Sequence, residues 1–387
     1  MYKSSNHTKM KQDKPRIYIP LLPFSALYGM AVWLRNKLFD WDILKSRSFP
    51  IPVICVGNIT VGGTGKTPHT EYLIKLLKDE FSVCVLSRGY KRKSKGFVLA
   101  EKGKSTIEDI GDEPFQMWQK FPDINVAADS DRCNGIDNLI AKAGNRDKKQ
   151  VIVLDDAYQH RYVKAGMYIL LIDYNRPISH DTLLPAGRLR EPASGKSRAD
   201  IIIVSKCPEN LNSEEMDRLR SEISPTAEQE VFFTYMKYGN LYRIFRQGNN
   251  DEMKPEDISP DRHILLLTGI ASPKAITEKL KQYTGNIESM VFADHHNFSR
   301  EDMETLRSRF MSMPEGRRMI ITTEKDAARL ITHPHLSEEL KPYIYALPVE
   351  VSFLNNETIK FNQKITEYVR KNSRNSSIPE SKDADKS

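Results

Sequence analysis

Val56-Gly57-Asn58-Ile59-Thr60-Val61-Gly62-Gly63-Thr64-Gly65-Lys66-Thr67 follows an apolar run and ends in Gly-Lys-Thr, the close of a phosphate-binding loop. Glycines there let backbone N–H groups turn inward around phosphate oxygens. Lys66 adds a mobile positive charge, and the Thr67 hydroxyl can ligate Mg²⁺ at a helix start. The pattern G-x-x-x-x-G-K-[ST] would place its first glycine at position 60, where Thr60 stands. The flanks supply the context that the pattern needs: Ile51 to Val56 reads as a buried strand, and Thr67 to Leu77 has helical spacing at Tyr72, Leu73, Leu76 and Leu77. The reading is a nucleoside triphosphate held on Thr60, Val61, Gly62, Gly63, Thr64, Gly65, Lys66 and Thr67.

Working outward, the first two-thirds of the chain alternates strand-like and helix-like runs, as a doubly wound α/β sheet does. Strands are expected at Ile51 to Val56, Ser82 to Leu86, Ile124 to Ala127, Val151 to Leu154, Met167 to Ile172 and Ile201 to Val204. Near-continuous apolar runs suit parallel strands covered on both faces. Helices are expected at Thr67 to Leu77, Glu113 to Lys120, Arg132 to Lys142 and Glu214 to Glu222. Phe232 to Phe245 reads as a hairpin around Gly239-Asn240, and a polar gap follows. A second alternation, from His263 to Leu347, marks a smaller α/β domain.

The expected organisation is therefore a basic tail at 1–16, a P-loop domain at 17–245 and a smaller domain at 246–355. A terminal helix at 356–371 and a disordered tail at 372–387 complete it. The length of 387 residues fits two domains at roughly 100 to 200 residues each. Cysteines 55, 84, 133 and 207 form no C-x-x-C pair and read as free thiols, not as zinc ligands or disulfides.

The net charge of +7 is concentrated in residues 1–16 and in Arg88 to Lys95. Such clusters suit anionic lipid or a phosphorylated substrate. Aromatic residues that would stack bases are sparse around them, so nucleic acid is not an expected partner. Residues 17–34 carry no charge, yet Pro20, Pro23, Ser25 and Gly29 argue against a membrane span. Phe24 to Trp41 reads either as a helix lying in a membrane interface or as one packed on the domain core.

The acids follow. Asp155 and Asp156 close an apolar strand-like run, where a P-loop enzyme needs carboxylates for Mg²⁺. Gly111-Asp112-Glu113-Pro114 opens a helix, where the dipole alone favours acids. Leu183 to Pro192 puts Arg188 and Arg190 in a loop suited to phosphate.

Together with Ser87-Arg88-Gly89-Tyr90, Asp155-Asp156-Ala157-Tyr158-Gln159-His160, Phe292-Ala293-Asp294-His295-His296 and Thr322-Thr323-Glu324-Lys325-Asp326, these motifs resemble the tetraacyldisaccharide 4'-kinase family of lipid A biosynthesis. The likeness runs from the N-terminal apolar helix to the last helix. It implies transfer of the ATP γ-phosphate to the 4'-hydroxyl of a tetraacyldisaccharide 1-phosphate by a monomeric enzyme. That enzyme would be peripheral on the cytoplasmic face of the bacterial inner membrane, touching it through the N-terminal helix. It also implies roles: Asp112 activates the hydroxyl with His295 as its partner, and Lys66 and Arg188 serve catalysis. Thr67, Glu113, Asp155 and Asp156 serve the metal, and Arg132, Gln159, His160 and Arg190 the substrate.

Two positions depart from the family pattern. Ala157-Tyr158 replaces a common Gly-Phe, at a place that could prefer a glycine conformation, and His296 often stands as tyrosine. The Thr323 to Asp326 run reads as a helix start. On residues alone two other readings stay open, a soluble small-molecule P-loop kinase and a GTP-dependent switch or metallochaperone. Ser205-Lys206-Cys207-Pro208 lacks the aspartate of a guanine reader.

Overall fold

The computed structural model describes residues 17–142, 148–245, 252–270, 273–294 and 296–374. The basic tail, the last residues of the chain and His295 lie outside the described residues.

Helix α1 (Leu22–Asp40) precedes β1 (Val53–Gly57), α2 (Lys66–Leu77), β2 (Ser82–Ser87), β3 (Val98–Leu99), α3 (Ile107–Ile110), α4 (Asp112–Lys120), β4 (Asn125–Ala128) and α5 (Arg132–Lys142). There follow β5 (Gln150–Asp155), β6 (Met167–Asp173), β7 (Ile201–Ser205), α6 (Ser213–Ile223) and β8 (Glu230–Tyr238). The smaller unit holds β9 (Leu241–Arg243), β10 (Glu252–Met253), β11 (His263–Thr268), α7 (Lys274–Leu280), β12 (Ile287–Val291), α8 (Arg300–Ser312), β13 (Arg318–Thr323), α9 (Glu324–Ile331) and β14 (Ile344–Leu347). The chain ends with β15 (Val349–Phe353) and α10 (Thr358–Arg374).

The large sheet runs β15-β8-β7-β6-β1-β5-β2-β4-β3, parallel from β8 to β4 with an antiparallel strand at each edge. Alternation along its strands sends residues to two cores. Ile54, Val83, Val153, Ile169 and Ile203 pack under Leu73, Leu77 and Phe361 of α2 and α10. Their neighbours Cys55, Cys84 and Ile152 meet Ile136 and Leu139 of α5, while Ile202 and Val204 meet Met216 and Leu219 of α6. Burial on both faces explains the absence of polar alternation in these strands. β1 sits inside the sheet between β5 and β6, so the loop after it opens at the carboxyl edge where the parallel strands end together.

The smaller sheet runs β10-β9-β14-β13-β11-β12. The expected hairpin at 232–245 does not form. β8 pairs with β7 and β15, whereas β9 pairs with β14 and β10, so Gly239-Asn240 is the passage from one sheet to the other. The return lies at Pro348, whose carbonyl accepts from Gly239 N at 3.1 Å. Both passages precede the expected boundaries at 245 and 355, because β15 and α10 rejoin the large sheet. A turn dipeptide signals reversal in sequence but not which ladder the next strand joins. The last helix extends to Arg374, past the expected end at 371.

Helix α9 carries the seam between the sheets. Ala328 packs with Phe115 and Ile110, and Glu324 shares Lys120 with Glu71, the lysine lying 2.7 and 2.6 Å from the two acids.

Candidate active site

Gly62 (φ 108°) and Gly65 (φ 82°) take left-handed backbone conformations that only glycine adopts readily, which brings Lys66 to the first position of α2. Asn58 Nδ2 donates to Thr64 Oγ1 at 2.8 Å, and Ser205 Oγ donates to the Thr64 carbonyl at 2.8 Å. On the other side Val61 N donates to Arg188 O and Arg190 N to Ile59 O, both at 2.8 Å. Thr60 is thereby bridged to Leu189, so the position that departs from the glycine pattern is a strand-like joint with the 183–192 loop. Thr60 and Thr64 are buried in this scaffold, while Val61, Gly62, Gly63 and Lys66 line an open cleft of about 880 Å³. Thr67, the second residue of α2, is half-buried.

Acids gather opposite the lysine. Asp155 is fully buried at the end of β5; Thr70 Oγ1 donates to its Oδ1 at 3.1 Å, and its Oδ2 has no partner among the described residues. Burial first, then the charges of Glu113 and Asp156, push its carboxyl up to about 7. Asp156, itself left-handed at φ 48°, lies 3.7 Å from Lys66 Nζ and 3.2 Å from Arg190 Nη1. Asp155, Asp156 and Glu113 on α4 thus repel one another around an unpartnered carboxylate oxygen, an arrangement that a cation relieves. No three such side chains among the described residues close on a metal by themselves. A Mg²⁺ ion suits this, since it keeps waters and takes phosphate oxygens with only one or two carboxylates.

The other expected residues separate into two groups. Glu113, Arg132, Gln159, His160 and Arg190 line the cleft. Arg132 is buried; Nη1 donates to the carbonyls of Asp129 and Ser130 at 3.0 and 3.1 Å, and its Nε has no partner among the described residues. Burial and then Arg132 hold His160 down at about 4, so it is neutral at physiological pH. Gln159 braces the loop by donating to Asn58 O at 2.7 Å and Glu191 Oε1 at 2.9 Å. Arg188 is exposed and does not line the cleft; its main chain ties the loop to the P-loop, whereas the side chain of Arg190 lines the cleft. Asp112 lies behind Glu113, where Arg329 of α9 donates to it from Nε at 3.2 Å and from Nη2. Ala157 has no left-handed backbone; the special conformation falls on Asp156.

Sequence reasoning missed Arg329, Lys325 and Glu191. Lys325 Nζ lies 2.7 Å from Asp294 Oδ1, and both line the cleft from the smaller domain. Thr323 caps α9 by accepting from Asp326 N, as the helix-start reading expects. The spacing of Asp326 and Arg329, one helical turn apart, was the available signal for a paired acid and base.

Helix α1 forms one wall of the cleft. Ser25 Oγ donates to Leu183 O at 2.9 Å and accepts from Ala186 N at 2.9 Å, Tyr28 OH donates to Arg190 O at 2.7 Å, and Arg35 Nη2 donates to Gln159 O at 3.0 Å. Gly29 lets the helix sit close to Leu183, whose Cδ1 would lie 2.6 Å from an added Cβ and would have to move aside. The polar and small residues therefore face inward, and Phe24, Leu27, Met30 and Leu34 face outward, each about half exposed or more. No described helix is long and apolar enough to cross a membrane.

The geometry has close counterparts in known proteins. The chain is 58% identical over 358 residues to the tetraacyldisaccharide 4'-kinase of Phocaeicola vulgatus, covering 92% of this chain and 97% of that one. It is 53% identical over 379 residues to that of Bacteroides fragilis, covering 98% and 100%. Among solved structures it superimposes on LpxK from Aquifex aeolicus in complex with ATP, with a TM-score of 0.68 at 31% identity, covering 91% of this chain and 99% of that one. The family model for tetraacyldisaccharide-1-P 4'-kinase matches residues 17–370, and the chain belongs to that family.

Proposed function

We propose that this protein transfers the γ-phosphate of ATP to the 4'-hydroxyl of a tetraacylated glucosamine disaccharide 1-phosphate, a step of lipid A biosynthesis. One observation carries the reading. The cleft that gathers Lys66, Glu113, Asp156 and Arg190 is walled by a helix whose outer side is a row of exposed apolar residues. A polar headgroup in the cleft then has its acyl chains beside α1 and the bilayer.

The P-loop amides and Lys66 bind the β- and γ-phosphates. Thr67 and Asp155, with Asp156 and Glu113, would hold Mg²⁺, which would supply neutralisation of charge on the phosphate oxygens. The 4'-oxygen attacks the γ-phosphorus and the bond to the ADP oxygen breaks. Lys66 and Arg190 stabilise the charge spreading over the transferred group. Asp112, with His295 as its partner, takes the hydroxyl proton late in transfer. Arg132, Gln159 and His160 bind the acceptor, and closure of the smaller domain completes the site. The enzyme acts as a monomer, peripheral on the cytoplasmic face of the inner membrane, with α1 in the headgroup layer.

The test is incubation with γ-labelled ATP, Mg²⁺ and the lipid acceptor. Label extracted with the lipid supports the reading; label appearing only as free phosphate contradicts it.

A further inference from the structure

Across the seam between the two sheets runs a buried chain of alternating charge. The amide of Gly269 and the hydroxyl of Thr323 hold Asp326 Oδ2 at 2.9 and 2.7 Å, and Asp326 Oδ1 accepts from Arg329 Nη1 at 3.0 Å. Arg329 in turn places Nε and Nη2 on a single oxygen of Asp112, Oδ2. All three charged side chains are buried, Asp326 completely. Buried ion pairs are weak devices for stability, because desolvation offsets most of their attraction. This one reaches the first residue of α4, next to Glu113 in the cleft, on the side chain assigned to take the hydroxyl proton.

We propose that Arg329 is the positioning residue of Asp112, and that Asp326 holds Arg329 in register for it; the proposal rests on the reading of Asp112 as proton acceptor. A two-pronged grip on Oδ2 fixes the carboxylate in one rotamer. The rigid fork of a guanidinium sets that geometry in a way that an ammonium does not. Because Arg329 and Asp326 belong to the smaller domain, orienting Asp112 and docking that domain are one event. This gives the Thr322 to Asp326 motif its work: Thr323 starts α9 and steadies Asp326, and Asp326 aims Arg329.

The test measures kcat, KM for both substrates and ATP affinity for the full-length protein and for Arg329→Met, Arg329→Lys, Asp112→Asn and the Asp112→Asn/Arg329→Met double variant. Arg329→Met is expected to lower kcat about 100-fold, the scale of a misplaced catalytic group, with KM and ATP affinity within a few-fold. Arg329→Lys is expected to recover part of that loss. Adding Arg329→Met to Asp112→Asn is expected to cost nothing further, because a residue acting through Asp112 has nothing left to position. Equal fractional losses in both backgrounds, or an unchanged kcat in Arg329→Met, would overturn the proposal. Wild-type turnover in Asp112→Asn would instead overturn the proton-acceptor reading, and this proposal with it. Should Arg329→Met fail to bind ATP, Arg329→Lys alone and combined with Asp112→Asn gives the same comparison.

Discussion

Lys66 Nζ lies 3.7 Å from Asp156 Oδ1, and Arg190 Nη1 lies 3.2 Å from the same oxygen. The cations proposed for phosphate are thus held by the acid proposed for the metal site. Asp156→Asn is expected to bind metal-free ATP more tightly, because Lys66 and Arg190 no longer have a competing anion. Its turnover is expected to fall by roughly 100-fold as metal-assisted charge stabilisation weakens. Calorimetry in chelator and steady-state rates in Mg²⁺ check the two halves.

Arg190→Lys keeps the charge but loses the planar fork. Turnover is expected to drop roughly tenfold or more, with nucleotide affinity changing less. Kinetic titration in both substrates separates these effects.

Burial, Glu113 and Asp156 push Asp155 up to about 7, so metal binding must displace a proton as the pH falls through that value. Mg²⁺ affinity is therefore expected to weaken about tenfold between pH 8 and pH 6. In Asp155→Asn this dependence should flatten, as read by Mg²⁺ titration of nucleotide binding at each pH.

Lys120 lies between Glu71 and Glu324 in a buried contact and pairs with both. Lys120→Met leaves two acids facing each other and is expected to cost about 3–5 kcal/mol of stability, measured by denaturant unfolding. Burial and then Glu324 push Glu71 up to about 7 from 4.5. The folded state then holds a proton that the unfolded chain has released, so this group favours folding below about 4.5. That contribution is lost as pH rises through about 7. Glu71→Gln should lessen the loss of stability between pH 5 and pH 8.

Replacing Leu27, Met30 and Leu34 together by serine removes the centre of the exposed apolar row on α1. Binding to anionic phospholipid vesicles is expected to fall at least tenfold, since each apolar side chain entering a bilayer contributes on the order of 1–2 kcal/mol. Activity on detergent-dispersed acceptor should persist. Vesicle sedimentation alongside the kinase assay decides.

The parallel core was legible because its strands are buried on both faces and carry uninterrupted apolar runs, as in Val151 to Leu154. The P-loop lysine and the Asp155-Asp156 pair were legible because local order places the one at a helix start and the other at a strand end. What escaped depends on contacts between distant segments. Nothing local in Gly239-Asn240 says that the next strand joins another sheet, and nothing local in Arg329 says that it reaches Asp112. Arg188 and Arg190 look alike in sequence, and only the bridge between Thr60 and Leu189 turns one outward and the other into the cleft. The side of α1 that faces solvent follows from Ser25 and Gly29 docking on the 183–192 loop, which periodicity alone left open.

The proposed reaction is defined by where the phosphate goes. Two-dimensional proton–phosphorus NMR of the product made from tetraacyldisaccharide 1-phosphate, ATP and Mg²⁺ should show a new phosphomonoester coupled to the proton at carbon 4'. Coupling to any other sugar position, or an acceptor recovered unchanged while ATP is hydrolysed, would contradict it.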